Sequence, residues 1–163
     1  QSEGGATESN GLTMLDIARH GVRTILKTLG PTDRLSVVWF NHAAGTLFPL
    51  TAMTEEGQAT ASAKLDELTE NGGTNIWQGL EQGLNEILCA EEENATKRLS
   101  HVMLLTDGQT SERASVMVNL AGYRAKHEKL PGTISTFGFG YGIDSPLLCE
   151  LASAGDGTYF FIP

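Results

Sequence analysis

An α/β domain built on an open, doubly wound, mostly parallel sheet is what this sequence predicts. Three observations carry that reading. The later half alternates strand-like and helix-like segments with short connections. The run HVMLL at 101–105 is almost continuously apolar, the pattern of a parallel strand covered on both faces. At 163 residues, 40% hydrophobic and 19% charged, the chain is the size and composition of one globular domain.

Each element has its own signal. Residues 1–11, QSEGGATESNG, are small and polar without periodicity and read as a flexible loop or arm; residues 12–163 form the domain. Leu12, Leu15, Ala18, Val22, Ile25, Leu26 and Leu29 recur at helical spacing, and Gly30-Pro31 stops that helix. LSVVWF at 35–40 is β-branched and aromatic, hence a strand. TLFPL at 46–50 follows a turn, and its Pro49 places it at a sheet edge as the one antiparallel strand. Thr54 followed by Glu55 and Glu56 starts a helix that buries Ala61, Leu65 and Leu68. The next helix runs from about Ile76, with Leu80, Leu84, Ile87 and Leu88 on one face. Val116, Leu120 and Tyr123 mark another, capped near Ser111. TISTFGFG at 133–140 is a strand, 145–154 a helix, and TYFFI at 158–162 a last strand.

Bulk properties exclude several classes. The net charge of -9 argues against a nucleic-acid backbone or an anionic membrane as partner. No apolar run reaches the ~18 residues of a spanning helix, so no membrane insertion is expected. No signal peptide is visible, so the compartment stays open and leans intracellular. Cys89 and Cys149 fall in predicted helices without partner spacing and are expected to be buried free thiols. Asn94-Ala95-Thr96 is a glycosylation sequon of low specificity. There is no nucleophile elbow, P-loop or Cys–His pairing, so no enzyme is expected. The four histidines are dispersed, and His42 lies in the turn after a strand. Trp77 reads as a packed helix residue, and GFGYG at 138–142 as close-packed backbone.

In open α/β sheets, ligands lie beyond the carboxyl ends of the strands. Asp107, in LLTDGQT, follows the strand at 101–105 and belongs to that edge. Thr74, in NGGTNIWQGL, begins a helix whose amino end faces the same edge in this reading. A hydroxyl and a carboxylate are hard oxygen ligands suited to Mg²⁺, Mn²⁺ or Ca²⁺. Taken alone, Thr74 reads equally as a helix cap and Asp107 as a turn residue.

LGPTDRLSVVWF, LFPLTAMTEEGQ, NGGTNIWQGL, VMLLTDGQT and TFGFGYGIDSPLLCELASAGDGTYFFI together resemble a von Willebrand factor type A (vWA) domain. The intracellular branch found with RING-type ubiquitin-ligase or Hint domains is the most similar, and the resemblance runs from about Gly11 to Pro163. It implies a metal-ion-dependent adhesion site with three parts: an Asp-x-Ser-x-Ser element after the first strand, a threonine and an aspartate. Thr74 matches the threonine and Asp107 the aspartate. The Asp-x-Ser-x-Ser element does not occur in these residues. A doubly wound domain opens with a strand, whereas this chain opens with a polar segment and a helix. Both facts predict a vWA-like domain lacking its first strand; the resemblance implies that this strand lies mid-sheet, between LSVVWF and HVMLL, and that the family's last helix is also missing. Four or five missing apolar side chains, at about 1.5–3 kcal/mol each, amount to roughly 6–15 kcal/mol. The isolated chain is therefore expected to be marginal and its metal binding weak. The resemblance implies a non-catalytic protein-interaction module that binds an acidic partner residue through Mg²⁺. The alternatives are a metal-independent scaffold in a larger protein such as a ubiquitin ligase and, behind it, a Mg²⁺-dependent phosphate-handling enzyme.

Overall fold

The structure is a computed structural model that describes residues 11–93 and 98–163. The sequon and nearly all of the polar N-terminal segment lie outside the described residues. The order of elements is α1 (Met14–Thr28), β1 (Arg34–Phe40), β2 (Ala44–Ala52), α2 (Glu55–Leu65), α3 (Ile76–Glu93), β3 (His101–Thr106), α4 (Arg113–Lys126), β4 (Thr133–Phe139), α5 (Ser145–Ala154) and β5 (Asp156–Ile162). The chain divides into two compact units. One comprises the residues up to Leu35 together with Thr51–Asn71, the other Ser36–Leu50 with Gly72–Pro163.

The first unit is held by polar clamps around a small core. Thr13 caps α1 in a reciprocal box with Asp16: the Asp16 N–H donates to Thr13 Oγ1 and the Thr13 N–H to Asp16 Oδ2, both at 3.1 Å. Those bonds, the backbone one first, and Arg19 beside it hold the Asp16 carboxyl below its ordinary range. Arg19 also donates to the Leu65 and Leu68 carbonyls at 3.0 and 2.9 Å, satisfying acceptors that a helix end leaves open. Thr54 caps α2 as expected, accepting from the Gly57 N–H at 3.1 Å. Leu26, Met53, Ala61 and Leu65 are buried; Leu68 lies past the end of α2 and is half-buried.

The second unit carries the larger core. Strands β3, β4 and β5 form a parallel three-stranded sheet in that order, with Thr106 opposite Gly138 and Gly138 opposite Phe161. Leu104 and Ile134 on one face pack with Ile76, Leu80 and Leu84 of α3, Val116, Leu120 and Tyr123 of α4, and Leu147, Leu148 and Leu151 of α5. Trp77 joins this cluster edge-on to Tyr123, with ring centres 6.2 Å apart.

Three expectations need correction. The β3 strand is buried on alternate residues only, and Met103 is 45% exposed. Among the described residues β3 is an outer strand of its sheet, and its face opposite the helices is partly exposed. Strands β1 and β2 form a separate antiparallel ladder, unjoined to β3–β5 among the described residues, which agrees with the expected fold class. Ser111 does not cap α4. That helix starts at Arg113 with no side-chain cap, because Thr110 Oγ1 takes the Glu112 N–H into a turn at 3.2 Å. Finally, both cysteines are free but exposed. Cys89 and Cys149 sit off the stripes formed by Leu84 and Ile87 and by Leu147, Leu148 and Leu151.

Candidate metal centre

Two loops meet at the carboxyl end of β3. The first precedes α3. Its Asn75 N–H donates to the Asn41 carbonyl at 2.6 Å, tying it to the turn after β1. That turn is closed by Asn41, whose N–H donates to the Ala43 carbonyl at 2.8 Å and whose Oδ1 accepts the Ala43 N–H at 2.9 Å. Gly73 adopts φ +99°, and a Cβ there would meet the His42 backbone nitrogen at 2.8 Å. Only glycine suits both the angle and the approach. Gly72 faces open space, so one glycine of the pair is required sterically. His42 is exposed in the same turn, at the loop's flank.

Asn75, not Thr74, caps α3: its Oδ1 accepts the Gln78 N–H at 3.1 Å and its carbonyl the Gly79 N–H at 3.3 Å. Thr74 lies one residue outside the helix. A plain capping role for Thr74 is thereby removed. The signal was present as an Asn three residues ahead of Gln78, beside a threonine that looks equally suitable.

The second loop follows β3. The Gly108 N–H donates to Thr106 Oγ1 at 3.3 Å, turning the chain directly after Asp107. A Cβ on Gly108 would lie 2.8 Å from Thr74 Oγ1 and 3.5 Å from its Cγ2. The Thr74 hydroxyl therefore rests against the backbone of the residue next to Asp107. Neither Thr74 nor Asp107 uses its side chain in a hydrogen bond or ion pair among the described residues. Asp107 is exposed and Thr74 half-buried.

Arg113 braces this edge, and its role was not legible in the sequence. It pairs with Glu150 at 2.9 Å and with Asp144 at 3.6 Å. Asp144 meanwhile caps α5 by accepting the Leu147 N–H at 3.1 Å. The loop carrying Asp107 is thus linked to the loop between β4 and α5.

One carboxylate and one hydroxyl, both unengaged and carried by loops that meet at Gly108 and Thr74, are oxygen donors of the kind a hard divalent cation takes. They fill few positions of its shell. No group of three or more His, Cys, Asp or Glu side chains converges among the described residues. Two surface depressions, of about 330 and 610 Å³, lie elsewhere: one along α4, the other at the amino ends of β3 and β4.

Comparison with known proteins matches residues 6–161 to the von Willebrand factor type A domain. An uncharacterized protein, sll0103, of Synechocystis is 30% identical over 91% of this chain and 33% of its own length. The E3 ubiquitin-protein ligase WAV3 of Arabidopsis thaliana is 30% identical over 76% of this chain and 17% of its own. The chain thus spans a third or less of the length of these relatives. Among solved structures, a von Willebrand factor type A protein from Catenulispora acidiphila superposes with TM-score 0.79 at 21% identity, over 92% of this chain and 35% of that one. Proximal thread matrix protein 1 from the mussel byssus, with a zinc-occupied MIDAS motif, superposes with TM-score 0.67 at 22% identity, over 89% of this chain and 35% of that one.

Proposed function

This chain belongs to the von Willebrand factor type A domain family, whose members serve as protein-interaction modules, and from that premise we propose that Thr74 and Asp107 hold part of a divalent-cation site that engages a partner's carboxylate. The observation that supports this reading is the close approach of Thr74 Oγ1 to Gly108, the residue after Asp107, while both the Thr74 and Asp107 side chains stay unengaged. Asp107 contributes charge and Thr74 a neutral oxygen, suiting Mg²⁺ first and Mn²⁺ or Ca²⁺ after it. The bound ion would supply positive charge with an open position for an acidic side chain. The role of this chain is to bind and orient; no catalytic step is assigned to it.

The remaining ligands, in this proposal, come with a strand that bears the Asp-x-Ser-x-Ser element and pairs along the β3 edge left unpaired among the described residues. The test uses the full-length protein and an acetylated, amidated Gly-Gly-Glu-Gly-Gly peptide. With Mg²⁺ the peptide binds, and Asp107→Ala abolishes the Mg²⁺ dependence. Unchanged Mg²⁺ dependence in that variant contradicts the reading.

A second reading is a metal-independent scaffold in a larger protein, such as the ubiquitin ligase that WAV3 is named for. The lack of a convergent acidic group among the described residues favours it. EDTA separates the two: it leaves partner binding intact only in the scaffold.

A further inference from the structure

Strand β5 closes one side of the three-stranded sheet, and its outer edge pairs with no strand among the described residues. Successive residues of a strand aim their N–H and C=O groups to opposite sides. The Ile162 carbonyl accepts from the Gly140 N–H at 2.8 Å, and the Thr158 N–H donates to Ser135 Oγ at 3.0 Å. Thr158, Phe160 and Ile162 therefore turn their backbone groups toward β4, and Tyr159 and Phe161 turn theirs outward. Both lie in regular pairing, because the register shift of β5 falls between Asp156 and Tyr159.

Sheet edges are ordinarily guarded by charges, by proline or by a bulge. Here the bulge precedes Tyr159 and Pro163 follows Ile162, and the four residues between are apolar or aromatic. In a chain of net charge -9, the stretch GTYFFIP at 157–163 carries no ionised side chain. Two copies meet along this strand without setting like charges against each other. Tyr159 packs against the helical core, so Phe160 lies on the opposite face; it is 46% exposed, its ring stacked on Phe137 with centres 4.9 Å apart.

A second copy fits in one register. An antiparallel pair with its two-fold axis at Phe160 sets Tyr159 of each copy opposite Phe161 of the other. Every outward N–H and C=O of those two residues then finds a partner, and four hydrogen bonds form across the axis. An axis at Phe161 sets Tyr159 against Pro163, which has no N–H to give. An axis at Tyr159 sets Phe161 against Gly157, inside the bulge. With the axis at Phe160, the two Phe160 residues are directly opposed, their Cα atoms about 4.5 Å apart. The Phe137–Phe160 stack thus continues into the second copy.

We infer that the β5 edge is a self-association surface, through which two copies of this chain join antiparallel about Phe160 into one continuous sheet. The interface is isologous and independent of the cation site.

The test follows association of the full-length protein by sedimentation, for the wild type, Phe160→Lys, Phe160→Glu and an equimolar mixture of the two variants. The wild type is expected to form a reversible dimer below about 1 mM, as a short interface does. Each variant alone sets two like charges face to face and weakens association about tenfold or more. The mixture associates more tightly than either variant alone, because opposite charges then face each other; a misfolded variant does not recover on mixing. Amide exchange at Tyr159 and Phe161 slows as concentration rises, while Phe160 and Ile162, whose N–H groups face β4, do not change. A wild type that stays monomeric at about 1 mM, as an edge reserved for a different protein's strand does, overturns the inference. Association that neither variant weakens, or a mixture no stronger than its components, overturns it as well.

Discussion

The two ends of the three-stranded sheet differ in how their polar groups are used. At the amino end, Arg124 is engaged by backbone and by an acidic side chain. Arg124 donates to the Ala154 carbonyl at the end of α5 at 2.7 Å and lies 3.8 Å from Asp156. A cation placed there completes a helix terminus that would otherwise expose carbonyls and a negative dipole end. The larger depression opens at this end, lined in part by Arg98, Arg124 and Lys129. At the carboxyl end, Thr74 and Asp107 leave their side-chain oxygens unengaged, with the Thr74 hydroxyl against the backbone of Gly108. Concavity and charge mark the first end, and uncommitted ligand atoms mark the second. The proposed site uses the uncommitted atoms, because polar groups already engaged must give up those contacts before binding anything else.

The sharpest way to break this contrast is to remove the Thr74 oxygen at constant shape. Thr74→Val is expected to weaken Mg²⁺ binding by roughly 10–100-fold, the range seen when groups that shape a metal site are lost. Thr74→Ser keeps the oxygen and most of the affinity. Calorimetric titration of Mg²⁺ into the full-length protein checks both. Next in size is Gly108→Ala. Its Cβ would press on Thr74 Oγ1 at 2.8 Å, so the loops must part. Mg²⁺ affinity should fall about three- to tenfold, with about 1–3 kcal/mol of stability lost to overpacking in chemical denaturation.

The amino end predicts the opposite signature. Arg124→Ala should lower stability by about 0.5–1 kcal/mol, since the bond to Ala154 lies in an exposed setting. Mg²⁺ affinity should not change. A loss of cation binding in this variant would erase the distinction between the ends.

The smallest effect concerns the first unit. The Asp16 carboxyl is held low by the Thr13 N–H, the Thr13 hydroxyl and Arg19. A carboxyl depressed by folding contributes its stability above its unfolded pKa and loses it as pH falls through the folded value. Thr13→Ala removes the hydroxyl's share. NMR titration of Asp16 should show its pKa moving up toward the ordinary range, with acid unfolding beginning at slightly higher pH.

Much of this architecture was legible in the sequence because it rests on local periodicity. Val116, Leu120 and Tyr123 mark the buried stripe of α4, and residues 145–154 are the helix their pattern predicts. Thr54 caps α2 for the same local reason. The departures arise where tertiary surroundings decide. Met103 is as apolar as its neighbours, but strand composition does not say which face of β3 will be covered. Cys89 sits in an amphipathic helix, and one residue's rotation takes it from the core to the surface. At the proposed site, Thr74 and Asp107 are named from the family resemblance of their segments. The capping role of Asn75, the brace at Arg113 and the approach of Gly108 to Thr74 depend on atoms brought together by the fold.

The most direct test of the central claim is a two-dimensional amide NMR spectrum of the protein recorded with substoichiometric Mn²⁺. The account predicts paramagnetic broadening centred on Thr74, Asp107 and Gly108, removed by Asp107→Ala. Broadening centred instead on the exposed acidic face of α3 around Glu91 and Glu92, with Thr74 and Gly108 unaffected, would contradict it.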